Sequence, residues 1–146
     1  MTNKILIPID SSEVALEVLK YGADLAQKLN STVIALHVIE PYSKNPTILS
    51  QFKAEMVKQT DELFEAVGKE VVAHAQAAMQ GASVPISYQI RMGNAAEQIL
   101  AAAKELDCSM IVIGSRGMNA VAEFILGSVS SKVSMYAEIP VLIVKK

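Results

Sequence analysis

Ile113-Gly114-Ser115-Arg116-Gly117 is followed, after nine residues, by Gly127-Ser128-Val129-Ser130-Ser131. Two glycine turns of this kind, with hydroxyl residues behind the second, can present several backbone N–H groups to one phosphate chain. Glycine allows this because it admits positive φ and close backbone approach. A single Gly-Ser pair reads more readily as a turn plus a helix cap. Two such turns, correctly spaced behind one apolar run, point instead to a polyphosphate cradle.

The elements around the two turns suit that chemistry. Met110-Ile111-Val112-Ile113 reads as a buried strand ending at Gly114, and Ser128 reads as the cap of a helix running to about Met135. The cradle thus joins a strand end to a helix N-terminus, where the macrodipole favours an anion.

Upstream, short β-rich runs alternate with longer helical patterns. Ile5-Leu6-Ile7-Pro8-Ile9 is the first strand, followed by a helix from about Glu13 to Leu29 that Ser11 or Ser12 can cap. Leu16, Leu19, Ala23 and Ala26 mark the face of that helix that lies against a sheet. Thr32 to Val38 is the second strand, and Glu40 to Pro46 is a proline-marked loop. A long helical pattern runs from about Leu49 to Met79, with Phe52, Met56, Leu63, Phe64, Val67, Val71, Ala75 and Ala78 as its apolar stripe. Thirty such residues would span about 45 Å, more than a domain of this size accommodates, so an overhang or a break near the start is expected. The third strand is Val84 to Arg91, with Pro85 suiting an edge position. Asn94 and Glu97 resemble a capping box for a helix to about Leu106. The last strand is Val141-Leu142-Ile143-Val144.

This βαβαβαβαβ order implies an α/β fold: an open five-stranded parallel sheet with helices on both faces, in one domain over residues 1–146. Such sheets bind ligands at the carboxyl edge where strand order reverses. With the order 3-2-1-4-5, Pro8-Ile9-Asp10 falls beside Gly114-Ser115-Arg116-Gly117, and Val38 and Ile39 offer a base an apolar wall. Asp10 can accept hydrogen bonds from ribose hydroxyls or help hold a metal on the phosphates; capping of the first helix explains it equally well.

Composition narrows the function classes. At 51% hydrophobic residues and a mean hydropathy of +0.33 the chain is apolar, yet no run approaches the roughly eighteen residues that cross a bilayer. A sheet buried on both faces accounts for the excess. The net charge of −2, with dispersed Lys and Arg, gives no footprint for nucleic acid. The N-terminal apolar stretch is too short for a signal peptide, so a cytoplasmic address is expected. Cys108 has no second cysteine for a disulfide. Neither Gly-x-x-x-x-Gly-Lys-Ser/Thr, nor Gly-x-Gly-x-x-Gly, nor Gly-x-Ser-x-Gly occurs, which disfavours P-loop, dinucleotide-binding and α/β-hydrolase chemistry. His37, inside a strand, reads as a hydrogen-bonded core residue, and His74 sits on the long helix; neither is taken as catalytic. Lys132 reads as a surface charge.

Three segments together carry a family likeness: Ile5-Leu6-Ile7-Pro8-Ile9-Asp10-Ser11-Ser12, Leu36-His37-Val38-Ile39-Glu40-Pro41, and Gly114-x2-Gly117-x9-Gly127-Ser128. With the closing stretch from Ala137 to Val144, the whole chain resembles the universal stress protein family, and the glycine spacing resembles that family's ATP-binding branch. The resemblance implies a Rossmann-like fold akin to the adenine nucleotide α-hydrolases. It implies that Pro8, Ile9, Asp10 and Val38 border the adenosine. Gly114, Ser115, Arg116, Gly117, Met118 and Asn119, with Gly127, Ser128, Val129 and Ser130, would wrap the phosphates. Arg116 stands where the family often has histidine and keeps positive charge there, whereas Met118 replaces a frequent basic residue. Ile139 stands where cysteine is common. The family usually forms homodimers, and the uncharged edge Val141 to Val144 invites pairing of fifth strands.

The reading that follows is an ATP-binding stress or regulatory protein with no dedicated catalytic residue and, at most, slow ATP hydrolysis, accompanied by Mg²⁺ or Mn²⁺ where a metal joins the phosphates. Two other readings stay open: a modest ATPase or nucleotidyl-transferring enzyme, and a dimeric module that binds AMP, a cyclic nucleotide or none.

Overall fold

The computed structural model describes residues 3–115 and 126–145. Five parallel strands form one sheet in the order β3-β2-β1-β4-β5, the topology expected from the sequence. The strands are β1 (Asn3–Pro8), β2 (Ser31–Ile39), β3 (Ile86–Met92), β4 (Met110–Gly114) and β5 (Val141–Val144). The helices are α1 (Glu13–Lys28), α2 (Pro46–Gln51), α3 (Ala54–Ala78), α4 (Ala95–Glu105) and α5 (Ser128–Tyr136).

Chirality places the helices. Right-handed crossovers from β1 to β2 and on to β3 keep α1 and α3 on one face, and the jump back across the sheet to β4 puts α4 and α5 on the other. The core divides accordingly. Ile5, Ile7 and Ile9 pack with α1 and α3, whereas Leu6, Ile34, Leu36, Ile111 and Ile113 pack with α4 and α5. The strict alternation along β1, with Ile5, Leu6 and Ile7 all essentially inaccessible, is that of a strand buried on both faces. Burying each of these side chains stabilises the fold by about 1.5–3 kcal/mol.

The helix ends follow local chemistry. Ser12 caps α1, its Oγ accepting from Ala15 N–H at 3.2 Å. Asn94 caps α4 by accepting from Glu97 N–H at 3.1 Å. Pro85 lies just outside β3, which begins at Ile86 rather than Val84, and β3 does occupy an edge.

The long helical pattern breaks near its start. Phe52 and Lys53 are extended, so α2 ends at Gln51 and α3 begins at Ala54, leaving a helix of about 37 Å. The expected apolar stripe is also rotated. Val57, Gly68, Val71 and Ala75 are buried, while Phe52, Met56, Leu63 and Val67 stay exposed. Gly68 sits where α3 approaches the end of β2: a Cβ there would lie 2.8 Å from Ile39 Cδ1 and 3.2 Å from His37 Cδ2, so a side chain at this position would require Ile39 to shift.

The short 3-10 turn Tyr42–Lys44 is tied to α3 by Asp61, whose carboxylate accepts from Tyr42 N–H at 2.6 Å and Ser43 N–H at 3.2 Å. Desolvation pushes the Asp61 carboxyl up, but hydrogen bonds from the Ser43 hydroxyl and these two amides outweigh it and hold it below its ordinary 3.8. Because the folded value is depressed, this tether is complete above pH 3.8 and is lost as pH falls through the folded value. Hydrogen exchange at the Tyr42 and Ser43 amides is therefore expected to accelerate, beyond its intrinsic pH dependence, only below pH 3.8, and to be fast at pH 7 in Asp61→Ala.

Candidate nucleotide site

The reversal in strand order lies between β1 and β4, and local sequence opens it. Lys4 C=O faces β4, accepting from Ser109 N–H, and Ile9 N–H faces β2, donating to Leu36 C=O at 2.8 Å. Alternation therefore points the nitrogen of Pro8 at β4, and proline has no N–H to continue that ladder. Paired residues run from Ile5 with Met110 to Leu6 with Ile111. Beyond them is a crevice of about 640 Å³, a size typical of small-molecule sites.

Of the residues singled out by sequence, Pro8, Ile9, Asp10, Val38, Gly114, Gly127, Ser128, Val129 and Ser130 all line this crevice. Arg116, Gly117, Met118 and Asn119 lie outside the described residues. Ser115 is not part of the lining. Its N–H donates to Val144 C=O at 2.9 Å, and its C=O accepts from Gly127 N–H at 2.8 Å and from the Ser130 hydroxyl at 3.1 Å. Ser115 thus clamps the start of the connection to its end.

Two capping assignments need correction. Gly127, not Ser128, is the N-cap of α5, and no side chain caps that helix. Ser128 is its exposed first residue, because Gly127 takes the extended cap conformation and its C=O accepts the Ser131 N–H at 2.9 Å. The N–H groups of Ser128, Val129 and Ser130 consequently have no acceptor inside the helix and stand at its positive end. Ser130 is 3% exposed, and its hydroxyl proton is shared between Ser115 C=O and Gly127 C=O.

Asp10 does not cap α1. Its Oδ1 accepts from both the N–H (2.8 Å) and the hydroxyl of Ser12, the residue that does. Both bonds fall on one oxygen, so Oδ2 keeps acceptor capacity. His37 is half-buried, with Nδ1 2.9 Å from Ile9 C=O, which makes Nδ1–H the donor and fixes the peptide that precedes Asp10. Glu40 accepts from Ala95 N–H at 2.7 Å, joining the end of β2 to the start of α4. Among the described residues no group of three or more His, Cys, Asp or Glu side chains gathers as for a metal ion.

Sequence reasoning missed the wall that α3 builds. Leu63, Phe64 and Val67, together with Tyr42, line the crevice along with Val14 and Val18 of α1. Helical spacing marked the first three as part of an apolar stripe, and nothing in the spacing says that this stripe lines a crevice.

The universal stress protein family model matches residues 1–145. The chain belongs to that family. Universal stress protein YxiE of Bacillus subtilis is 35% identical over 150 residues, covering 99% of this chain and 100% of that one. The solved structure of hypothetical protein MJ0577 superposes with a TM-score of 0.83 at 27% identity, covering 100% and 97% of the two chains. A universal stress protein of Archaeoglobus fulgidus in complex with dAMP superposes with a TM-score of 0.70 at 22% identity, over 99% and 98%. The universal stress protein fold is therefore shared throughout, and no helix among the described residues is long and apolar enough to cross a membrane.

The two serines of the site separate structure from ligand contact. Ser130→Ala is expected to cost about 1 kcal/mol, at the low end for a buried hydrogen bond because both carbonyls keep a second donor. Ser128→Ala should change stability by less than about 0.5 kcal/mol. Urea unfolding of the two variants checks both values.

Proposed function

We propose that the crevice binds ATP and that this universal stress protein acts as a nucleotide-dependent regulatory factor. The observation that carries the reading is the convergence, in one crevice at the strand reversal, of the Asp10 carboxylate and the three first-turn amides of α5, which have no acceptor inside the helix. In this reading Pro8, Ile9 and Val38 border the adenosine and Asp10 Oδ2 accepts from the ribose. Gly114 and Gly127 to Ser130 hold the phosphates, joined by Arg116, Gly117, Met118 and Asn119, with Mg²⁺ or Mn²⁺ entering alongside. The dAMP complex of the Archaeoglobus fulgidus relative supports an adenine nucleotide as ligand for this fold. Any hydrolysis is slow in this reading, because Asp10 Oδ2 is taken by the ribose and no Lys or Arg among the described residues lines the crevice to neutralise charge developing on the phosphates.

A second reading, AMP or a cyclic nucleotide, draws on the charge of the crevice. Asp10 and Glu40 line it, and no Lys or Arg does among the described residues. Two carboxylates favour fewer phosphates.

ATP at one hundred times its Kd should stabilise the protein by about 2.7 kcal/mol and raise Tm by roughly 5–10 °C. Asp10→Ala should reduce that shift and weaken affinity about tenfold, as expected for one hydrogen bond to a charged group. Mass spectrometry of ligand released from the purified protein identifies the nucleotide. Recovery of none, with no shift on adding ATP, AMP or cyclic AMP, would overturn the proposal.

We also propose a homodimer through β5, the strand at the sheet edge, where Val141, Leu142 and Ile143 are half-exposed. Two-fold antiparallel pairing of the two β5 strands would continue the sheet across the dimer. Leu142→Lys or Ile143→Lys is expected to convert the dimer to monomer in sedimentation velocity; an unchanged profile argues against this interface.

A further inference from the structure

The lining of the crevice is of two chemical kinds. One is polar, with Asp10, Ser12 and the α5 amides. The other is hydrocarbon: Leu63, Phe64 and Val67 of α3 and Val14 of α1 line the same cavity. Leu63 is 60% exposed and Val67 41%, so these large side chains are not consumed by the core.

This apolar lining is also held in place. The Tyr42 and Phe64 rings meet edge to face at 5.1 Å, and Asp61 fixes the backbone of Tyr42 onto α3. Purine edges carry donors and acceptors that need partners, whereas Leu63, Phe64, Val67 and Val14 have no side-chain polar atom to offer. A hydrocarbon needs none, and each methylene laid on this wall is removed from water.

Building on the nucleotide reading above, we propose that the crevice also accepts an adenylate bearing a hydrocarbon substituent, of which an acyl adenylate is the simplest. The adenylate occupies the polar lining, and the acyl chain runs along α3 beside Leu63, Val67 and Val14.

Hydrolysis-resistant acyl sulfamoyl adenosines test this by calorimetry on the intact protein. The octanoyl compound should bind at least about tenfold more tightly than the acetyl compound, since six further methylenes are buried. In Leu63→Ser/Val67→Ser that chain-length gain should disappear, measured as the ratio of the two affinities in the same variant; both positions are exposed, and circular dichroism checks the fold. Equal affinities for the two compounds in the unsubstituted protein, or a gain that survives the double substitution, would overturn the proposal. If AMP and the acetyl compound bind and only the chain-length gain is missing, this inference alone fails. If neither they nor the octanoyl compound binds, the nucleotide reading fails with it. Octanoate binding as tightly as the octanoyl adenosine would also overturn it, by removing the adenylate from recognition.

Discussion

β1 must be covered on both faces and paired on both edges, and most of the structure follows from that requirement. Its side chains alternate between two hydrophobic clusters, so each face needs its own helices. Parallel partners on both sides require crossovers in opposite directions, and the constant hand of those crossovers sends α1 and α3 to one face and α4 and α5 to the other. The connections leaving β1 and β4 therefore diverge, and the space between them is the crevice. Pro8 reinforces the opening by lacking the one N–H that would have extended the ladder toward β4.

What closes on that space is a small set of main-chain hydrogen bonds. Ser115 C=O receives two donors, Gly127 N–H and the Ser130 hydroxyl, while Ser115 N–H is held by β5. Each contributes on the order of 1 kcal/mol, but their geometric effect is larger. They fix the N-terminus of α5 against the end of β4, so its first amides face the same cavity as Asp10. Ser130 is committed to this clamp, which leaves Ser128 as the hydroxyl free for solvent or ligand. On the opposite wall Glu40 and His37 act comparably, fixing the ends of β2 and β1 through Ala95 N–H and Ile9 C=O.

The legible parts of the sequence were those governed by short-range physics. Alternation in β1, the apolar run Met110 to Ile113 and the caps at Ser12 and Asn94 each depend on residues a few positions apart. The two glycine turns and Asp10 were found because their residue types are unusual where they stand, and nine of the fourteen expected site residues line the crevice. The errors came from longer range. α5 is capped by Gly127 because Ser115, twelve positions earlier, fixes its N–H. Asp10 supports the cap of α1 without being it. α3 comes closest to β2 where Gly68 meets Ile39 and His37 across a crossover, a contact that helical periodicity cannot register.

By itself, then, the amino-acid order determined the succession of strands and helices, the parallel two-faced sheet and the chemical character of the turns, because hydrophobic period, glycine and capping residues act locally. Only the tertiary structure decided which hydroxyl binds the backbone, that Ser115 faces inward to the clamp, and that an apolar wall of α3 completes the crevice. Those outcomes depend on groups brought together by the reversal at β1 and β4, and distances across that reversal are not encoded in spacing along the chain.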